Sequence, residues 1–425
     1  MVKTLERYIV AGGARLQGQV AISGAKNAAL PILAAALLTS GESVIHHTPV
    51  IRDVGVMLEI LRRLGVQVEE LAEGESGRTL KIRPDGMSTP EVGADFTREM
   101  RSSIFLMGPL LARLGKIRIS YPGGCAIGPR PIDFHLRGLE QLGAKIEERF
   151  GFIEAVVDGR LCGTEIYLDF PSVGATENLM MAAVLAEGTT VIRNAAREPE
   201  IVDLQNFLNK LGAKIRGAGM DVIRITGVTA LGAVEHTVIP DRIEAGTFLA
   251  AAAITAGDVT VQGVIPEHLD AAAAKLREMG CAMEEGDDWI RCLGPKRLKA
   301  TDLKTLPYPG FPTDMQPQMM ALMSVAEGTS IITETIFENR FKVAEELRRL
   351  GANVKTDGRT GVVQGVPQLS GATVECPALR EGMALVLAGL AAEGTTTIDQ
   401  IIHIDRGYQR LEEKLQGLGA RIARG

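Results

Sequence analysis

The chain has 425 residues, of which 46% are hydrophobic and 23% charged, and its formal net charge is -6. A chain of this length exceeds one ordinary hydrophobic core and predicts two or three domains. The acidic balance argues against a nucleic-acid partner. The chain also lacks the run of about 18 apolar residues that a membrane span needs, and its start lacks a signal-peptide hydrophobic region. We therefore expect a cytoplasmic protein.

The number and spacing of the cysteines argue against a disulfide-stabilised fold and against a zinc site. There are five of them, at positions 125, 162, 281, 292 and 376. An odd number without any CxxC or Cys/His ligand spacing favours neither a disulfide framework nor a zinc site. We expect no structural metal.

An internal repeat runs along the whole chain. Six segments resembling LxxLG end an amphipathic helix at a glycine and then begin a strand of alternating apolar residues, which is typical of a glycine C-cap. These glycines recur about every 70 residues, a period typical of repeat architectures. They are Gly65, Gly143, Gly212, Gly280, Gly351 and Gly419.

A second motif runs in phase with the first. Here the helix is apolar nearly all round, as in residues 28–38, 248–256 and 383–392, and a strand rich in β-branched residues follows. An all-round apolar helix belongs in a core. Each repeat therefore predicts strand, buried helix, strand, strand, amphipathic helix, strand, and six repeats predict an α/β protein of two domains with central helices and surrounding sheets.

The most reactive-looking stretch is residues 122–133, PGGCAIGPRPID. Its glycines and prolines exclude a regular helix or central strand. It places Cys125 near Arg130 and Asp133, as expected for a nucleophile or acid beside a cation on a segment able to open and close. The alternative is a surface loop with an inert cysteine.

Polar residues also precede the buried helices of the first three repeats. Lys26 and Arg101 stand where a cation is unfavourable unless an anion binds, although a solvated side chain is the alternative. Ser172 and Thr176 offer hydroxyls to phosphate oxygens, or simply cap their helix.

In the fifth repeat Asp314 opens the buried helix, and Arg340 and Arg406 occupy equivalent sites after the second strand of the fifth and sixth repeats. Asp314 is either a helix cap or a general base. The arginines either converge on one cleft or are separate surface residues. Several cations in an acidic chain predict a small, highly charged anion carrying phosphate and carboxylate groups. The cluster comprises Lys26, Arg130, Arg340, Arg406 and Arg380.

These segments, in this order, closely resemble the UDP-N-acetylglucosamine enolpyruvyl transferases over the whole chain. The resemblance is carried by GAKN (24–27), the 122–133 loop, FPTDMQ (311–316), FENRF (337–341) and HIDRGY (403–408). It implies a two-domain inside-out α/β barrel of six βαββαβ repeats. Residues 26–238 would form one domain, and 1–25 plus 239–425 a second, discontinuous one.

The resemblance also implies an activity. The enolpyruvyl group of phosphoenolpyruvate would pass to the 3-hydroxyl of UDP-N-acetylglucosamine, with release of phosphate, in the first committed step of peptidoglycan synthesis. Both substrates are small molecules, and no cofactor is implied. Cys125 would be the general acid, able to form a covalent adduct and to be alkylated by fosfomycin, and Asp314 the base.

The same resemblance assigns the binding residues. Lys26, which would also act in catalysis, Arg130 and Arg406 would hold the phosphate, and Arg340 and Arg380 would face the carboxylate. The positions matching the sugar-nucleotide site are Asn27, Arg101, Arg130, Pro131, Ile132, Asp133, Phe134, Ser172, Val173, Gly174, Asp314 and Ile336.

One departure leaves two alternatives open. Most members carry Asp where this chain has Ala378, and Glu381-Gly382-Met383 replaces small residues. Some members also carry Lys where this chain has Phe170. The chain could therefore be a weakly active paralogue that still binds the sugar nucleotide, or an enolpyruvyl transferase with another acceptor.

Overall fold

The computed structural model describes residues 6–87, 89–121 and 132–425. These residues form 13 helices and 24 strands. The helices are α1 (Lys26–Ala35), α2 (Arg52–Arg63), α3 (Ala94–Glu99), α4 (Met107–Leu114), α5 (Asp133–Gln141), α6 (Val173–Ala183), α7 (Pro199–Lys210), α8 (Arg242–Ile254), α9 (Asp270–Glu278), α10 (Gln316–Met323), α11 (Val343–Arg349), α12 (Leu379–Ala391) and α13 (Leu411–Gly417).

The first twelve strands are β1 (Arg7–Ala11), β2 (Gln17–Ala21), β3 (Ser43–Thr48), β4 (Gln67–Gly74), β5 (Gly77–Arg83), β6 (Glu91–Val92), β7 (Lys116–Ser120), β8 (Lys145–Arg149), β9 (Phe152–Val156), β10 (Glu165–Tyr167), β11 (Thr189–Arg193) and β12 (Lys214–Arg216). The remaining twelve are β13 (Val222–Thr226), β14 (Val234–Thr237), β15 (Asp258–Gln262), β16 (Ala282–Glu285), β17 (Trp289–Leu293), β18 (Leu303–Lys304), β19 (Thr329–Thr333), β20 (Asn353–Asp357), β21 (Thr360–Gln364), β22 (Thr373–Glu375), β23 (Thr395–Asp399) and β24 (Arg421–Arg424).

The described residues divide into two compact units. The N-terminal unit comprises residues 23–121 and 132–239, and the C-terminal unit comprises residues 6–22 and 240–425. Each has its own hydrophobic core. Within the described ranges, the chain passes from one unit to the other after Ile22 and after Ile239.

Six copies of one four-stranded sheet account for all 24 strands, three in each unit. Each sheet has one parallel edge pair, such as β6 with β7, followed by two antiparallel pairings, such as β7 with β9 and β9 with β8. The predicted α/β fold of six repeats is therefore confirmed.

The order of elements inside the repeat corrects the prediction. In the second repeat, β6, α4, β7, α5, β8 and β9 follow one another, which is βαβαββ rather than βαββαβ. Only one strand, β7, lies between the two helices, and a hairpin of β8 and β9 follows the amphipathic helix α5. In this repeat the hairpin turns at Phe150 and Gly151, both with positive φ (54° and 77°), as a two-residue hairpin requires.

The two helix types also behave as their sequences predict. All six LxxLG glycines are left-handed, with φ between 91° and 108°, so each helix ends where its C-cap residue stands. The helices apolar on all sides are buried; in α12, every residue from Arg380 to Leu390 is buried. Among the described residues, no helix has the length and apolar character needed to cross a bilayer.

Each passage of the chain follows an edge strand. β2 belongs to a sheet of the C-terminal unit and pairs in parallel with β15, yet it leads into α1 of the N-terminal unit. Conversely, β14 pairs in parallel with β3 and leads into α8 of the C-terminal unit. Both buried helices therefore begin directly after a passage.

Candidate active site

In the N-terminal unit, α1 begins with a buried cation. Lys26 is its first residue and is 8% exposed, and its Nζ lies 2.7 Å from Oδ2 of Asp53 in the first turn of α2. Asn27 follows and is half-buried. The anion that a lysine needs at this place is thus supplied in part by the protein itself. Sequence analysis missed Asp53 because an acid in the first turn of an amphipathic helix is commonplace.

The two hydroxyl residues at the start of α6 accept hydrogen bonds from different parts of the chain. Ser172 is its N-cap and accepts a hydrogen bond from the Ala175 N–H (3.3 Å), so the capping alternative holds for Ser172. Thr176 instead accepts from the Ala196 N–H (3.1 Å). Val173 and Gly174 open the helix.

Gly174 allows close packing in this unit. A Cβ there would lie 3.3 Å from the rings of His135 and Phe105, which is a tight contact. The structure therefore brings Gly174 beside α5 and beside the 3-10 turn Arg101–Leu106, whose first residue, the predicted Arg101, is half-buried. These predicted sugar-nucleotide residues lie in one neighbourhood.

The start of α5 completes this neighbourhood. Ile132 is buried, Asp133 pairs with Arg137 one turn on, and the Arg137 guanidinium lies 5.7 Å from the centroid of the Phe134 ring. Cys125, Arg130 and Pro131 lie outside the described residues.

In the C-terminal unit, one carboxylate holds two buried guanidinium groups. Arg340 Nη2 donates to Asp314 Oδ1 (2.8 Å), and Arg380 donates from Nε and Nη2 to Asp314 Oδ2 (3.2 and 3.1 Å). Arg340 Nε also donates to the carbonyl of Thr313 (3.2 Å), and its Nη1 lies 3.5 Å from Oε1 of Glu381. Two cations thus meet two carboxylates.

Exposure separates the members of this quartet. The side chains of Arg340 and Arg380 are each 3% exposed and that of Glu381 is 1% exposed, whereas that of Asp314 is 27% exposed. Asp314 lies in a 3-10 turn before α10, and the N-cap position of α10 is held by Met315. Asp314 is the most exposed member of the quartet and the one that solvent or a ligand reaches most readily.

An aromatic residue lies against the second guanidinium. Arg380 is 5.4 Å from the centroid of the Tyr408 ring. Burial alone would lower the pKa of Arg380, but the nearby Tyr408 and Asp314 leave that pKa raised. Burial raises the pKa of Tyr408, whose hydroxyl is 3.0 Å from that of Thr247. Arg380 therefore stays a fixed cation.

Comparison with known proteins now identifies the family. Residues 10–415 match the profile of the family described as EPSP synthase (3-phosphoshikimate 1-carboxyvinyltransferase). Over 424 residues the chain is 80% identical to "UDP-N-acetylglucosamine 1-carboxyvinyltransferase 1" of Symbiobacterium thermophilum, covering 100% of this chain and 96% of that one. This chain belongs to the UDP-N-acetylglucosamine 1-carboxyvinyltransferases.

Other members and solved structures agree. "UDP-N-acetylglucosamine 1-carboxyvinyltransferase 2" of Carboxydothermus hydrogenoformans is 56% identical over 424 residues, covering 99% of both chains. The enolpyruvyl transferase NikO from Streptomyces tendae superposes with a TM-score of 0.89 at 26% identity, covering 99% of both chains. An EPSP synthase from Acinetobacter baumannii, with a TM-score of 0.77 at 20% identity, covers 99% of this chain and all of that one, and shares the fold.

The remaining predicted residues of this transferase lie near the second cluster along the chain. The Ile336 N–H donates to Glu334 Oε1 (2.7 Å), which fixes the backbone shortly before Arg340. Arg406 is half-buried and stands two residues before Tyr408. Within the described ranges, no three His, Cys, Asp or Glu side chains are arranged to hold a metal ion.

Two buried residues of the transferase were not singled out from the sequence. Asn178 accepts from the Gly108 N–H (2.7 Å), which orients its amide so that Nδ2 donates to Nδ1 of His135 (3.0 Å). In the neutral ring the proton of His135 is then on Nε2. Glu381 was noted only as an unusual residue, since nothing local signals its pairing with Arg340 across the unit.

Proposed function

We propose that the two clusters described above are the working parts of a UDP-N-acetylglucosamine enolpyruvyl transferase. The observation that carries this activity is 80% identity along the full chain to a curated enzyme of that name. The chain transfers the enolpyruvyl group of phosphoenolpyruvate to UDP-N-acetylglucosamine, in the first step of peptidoglycan synthesis. The assignment of individual residues is our proposal.

The reaction needs an acid and a base. We assign the acid to Cys125, which would protonate C3 of phosphoenolpyruvate and leave a cationic centre at C2. The sugar 3-hydroxyl attacks C2 while Asp314 takes its proton. The Cys125 thiolate then takes a proton back from C3 as phosphate leaves C2, which gives the enolpyruvyl ether, and the sugar proton passes from Asp314 to the departing phosphate.

Lys26 would neutralise the leaving phosphate together with Arg130 and Arg406. An ammonium group has three N–H donors. The 2.7 Å contact with Asp53 supports this role, because it orients the ammonium at the start of α1. A cation held in place before the substrate arrives stabilises developing charge without reorganisation.

The Asp314 quartet supports a substrate-triggered base. While Asp314 accepts hydrogen bonds from Arg340 and Arg380, two cations stabilise its charge and weaken it as a base. The carboxylate of phosphoenolpyruvate would compete for the same guanidinium groups, since Arg binds any carboxylate in this geometry. Asp314 would then be released toward the sugar hydroxyl only when both substrates are present.

The sugar nucleotide would occupy the residues gathered at the helix starts. We assign to it Asn27, Arg101, Arg130, Pro131, Ile132, Asp133, Phe134, Ser172, Val173, Gly174, Asp314 and Ile336. We further propose that the two units are the two catalytic domains, that the protein acts in the cytoplasm in support of cell division, and that fosfomycin alkylates Cys125.

A coupled phosphate-release assay tests the proposal. Phosphate should appear only when phosphoenolpyruvate and UDP-N-acetylglucosamine are both added. Cys125→Ala should lower kcat by about 10²–10⁴-fold, and Cys162→Ala, at an exposed cysteine, should leave it unchanged. A folded wild-type chain that releases no phosphate with this acceptor, but does so with another sugar nucleotide, would favour the other-acceptor alternative. If the chain binds the sugar nucleotide but releases no phosphate with either acceptor, the result would favour the weakly active paralogue.

A further inference from the structure

A buried aspartate and a buried histidine form a hydrogen-bonded pair near the C-terminal end of the N-terminal unit. Asp203 on α7 and His236 on β14 are 3% and 4% exposed. His236 Nε2 lies 2.9 Å from Asp203 Oδ1, and its Nδ1 has no hydrogen-bond partner among the described residues. A proton on Nδ1 would be buried without an acceptor, so we place the ring proton on Nε2, from which it donates to Asp203.

The other oxygen of Asp203 holds the backbone where the chain leaves the unit. Asp203 Oδ2 accepts from the N–H of Ile239 (3.2 Å), the last residue before the second passage. The carbonyl of Ile239 in turn accepts from the N–H of Ala25 (2.7 Å). Both ends of the N-terminal unit are therefore joined through Ile239.

Helix α1 begins directly after Ala25. This residue is the N-cap of α1, its carbonyl accepts from the Ala29 N–H (2.8 Å), and no side chain caps the helix. A Cβ on Gly24 would lie 1.7 Å from the carbonyl oxygen of His47, so this segment runs directly against the backbone of β3. The position of Lys26 thus depends on a short, buried backbone segment held by Ile239.

We propose that Asp203 and His236 are positioning residues for Lys26, acting through Ile239 and Ala25. The carboxylate is the one charged member of this relay, and hydrogen bonds to a charged acceptor are shorter and stronger than neutral ones. His236 keeps Asp203 turned toward Ile239. Lys26 is thereby set at the start of α1 with its Nζ against Asp53. The inference rests on the proposed function, because it assigns a catalytic consequence to the position of Lys26.

Asp203→Asn breaks the relay with little change in shape. The amide has one acceptor oxygen facing two donors, His236 Nε2–H and Ile239 N–H, so one donor loses its partner. We expect the KM for phosphoenolpyruvate to rise about tenfold and kcat to change less than threefold. Asp221→Asn, at an exposed aspartate of the same unit, is the matched control and should change neither.

A second substitution should repair the first. In Asp203→Asn/His236→Gln, the amide oxygen at 203 accepts from Ile239 while its NH2 donates to the glutamine oxygen at 236. The KM for phosphoenolpyruvate should return to within threefold of the wild-type value. If the role of Asp203 is purely structural, the melting temperature should change in these variants. The KM for phosphoenolpyruvate should then neither rise in Asp203→Asn nor return in the double variant. If Asp203→Asn does not fold, the double variant decides: a KM still tenfold above wild type overturns the proposal.

Hydrogen–deuterium exchange gives a readout that does not need turnover. The amide of Ala25 should exchange at least tenfold faster in Asp203→Asn than in the wild type, and the double variant should restore its protection. Unchanged exchange in Asp203→Asn overturns the relay whatever the activity. A wild-type chain without phosphate release contradicts the proposed function, and the exchange result still decides the relay.

Discussion

Glu177 in α6 of the N-terminal unit and Glu381 in α12 of the C-terminal unit each lie within the first two turns of a core helix, and each is 1% exposed. Among the described residues, none of their carboxyl oxygens has a hydrogen-bond partner. Their neighbours differ. Glu381 lies 3.5 Å from the guanidinium of Arg340, whereas Glu177 faces the carboxylates of Glu200 and Glu198.

The two glutamates therefore have different electrostatic surroundings. Burial, and then the nearby Glu200 and Glu198, raise the pKa of Glu177 well above its ordinary value, which favours the neutral acid in the folded protein. Glu381 instead lies beside Arg340, in a set of two guanidinium groups and two carboxyl groups. A substrate can rearrange the pairing within that set, whereas the carboxyl group of Glu177 has like groups as its neighbours.

The largest expected effect tests whether the C-terminal quartet is catalytic. Asp314→Asn should lower kcat for phosphate release by about 10²–10⁴-fold, because an amide cannot take the sugar proton. Its side chain is 27% exposed, so the fold should survive, as circular dichroism would check. Asp357→Asn, at an exposed strand position, is the control. A kcat within threefold of wild type would exclude Asp314 as the base.

The second largest effect concerns the pair of Lys26 and Asp53 in the N-terminal unit and tests whether this pair stabilises the fold. Asp53→Asn leaves Lys26 buried without its carboxylate, which should cost about 3–5 kcal/mol of unfolding free energy in urea. Glu59→Gln breaks the exposed pair with Arg63 on the same helix α2 and should cost less than about 1 kcal/mol. Equal losses in the two variants would show that Lys26 does not depend on Asp53.

The raised pKa of Glu177 predicts how the stability of the protein depends on pH. Its folded pKa is raised, so the unfolded chain loses this proton first as pH rises above the ordinary glutamate value of 4.5. The contribution of Glu177 to stability is therefore complete at low pH. It falls by up to about 1.4 kcal/mol per pH unit until the folded group ionises.

Glu177→Gln should remove this decline, since glutamine resembles the neutral acid. Urea melts at pH 5 and pH 8 should show the variant gaining on the wild type at the higher pH. Glu187→Gln, at an exposed position, should leave the pH dependence unchanged. A variant that loses stability equally at both pH values would mean that Glu177 is charged in the folded protein.

The smallest effect concerns the unusual Ala378. It is the N-cap of α12, with extended φ and ψ (-166° and 176°) and no capping side chain. Ala378→Asp should raise the unfolding free energy by about 0.5–2 kcal/mol through a cap to α12. Ala378→Ser should give a comparable gain if capping is the cause. A gain with Asp alone would point to its charge beside Arg380.

Much of the fold was predictable because its signals are local. The LxxLG glycines mark helix ends through their own backbone conformation, and the all-apolar helices can be stable only in a core. The order of strands was wrong where it depended on a hairpin turn at Phe150 and Gly151, which is a weaker local signal. The candidate site was harder, since the pairing of Lys26 with Asp53 and of Arg340 with Glu381 joins residues distant in the chain. The roles of Cys125 and Arg130 stay predictions.

The placement of β1 has a consequence for biosynthesis. β1 lies between β23 and β24, and its residues pair with the segments Thr395–Asp399 and Arg421–Arg424. Among the described strands β1 comes earliest along the chain, and its partners come last. Residues 7–11 therefore stay unpaired until residues 395–399 and 421–424 have been made, while the N-terminal unit can already fold. A truncated translation product would expose this strand, and a chaperone that binds extended apolar segments should retain such a product.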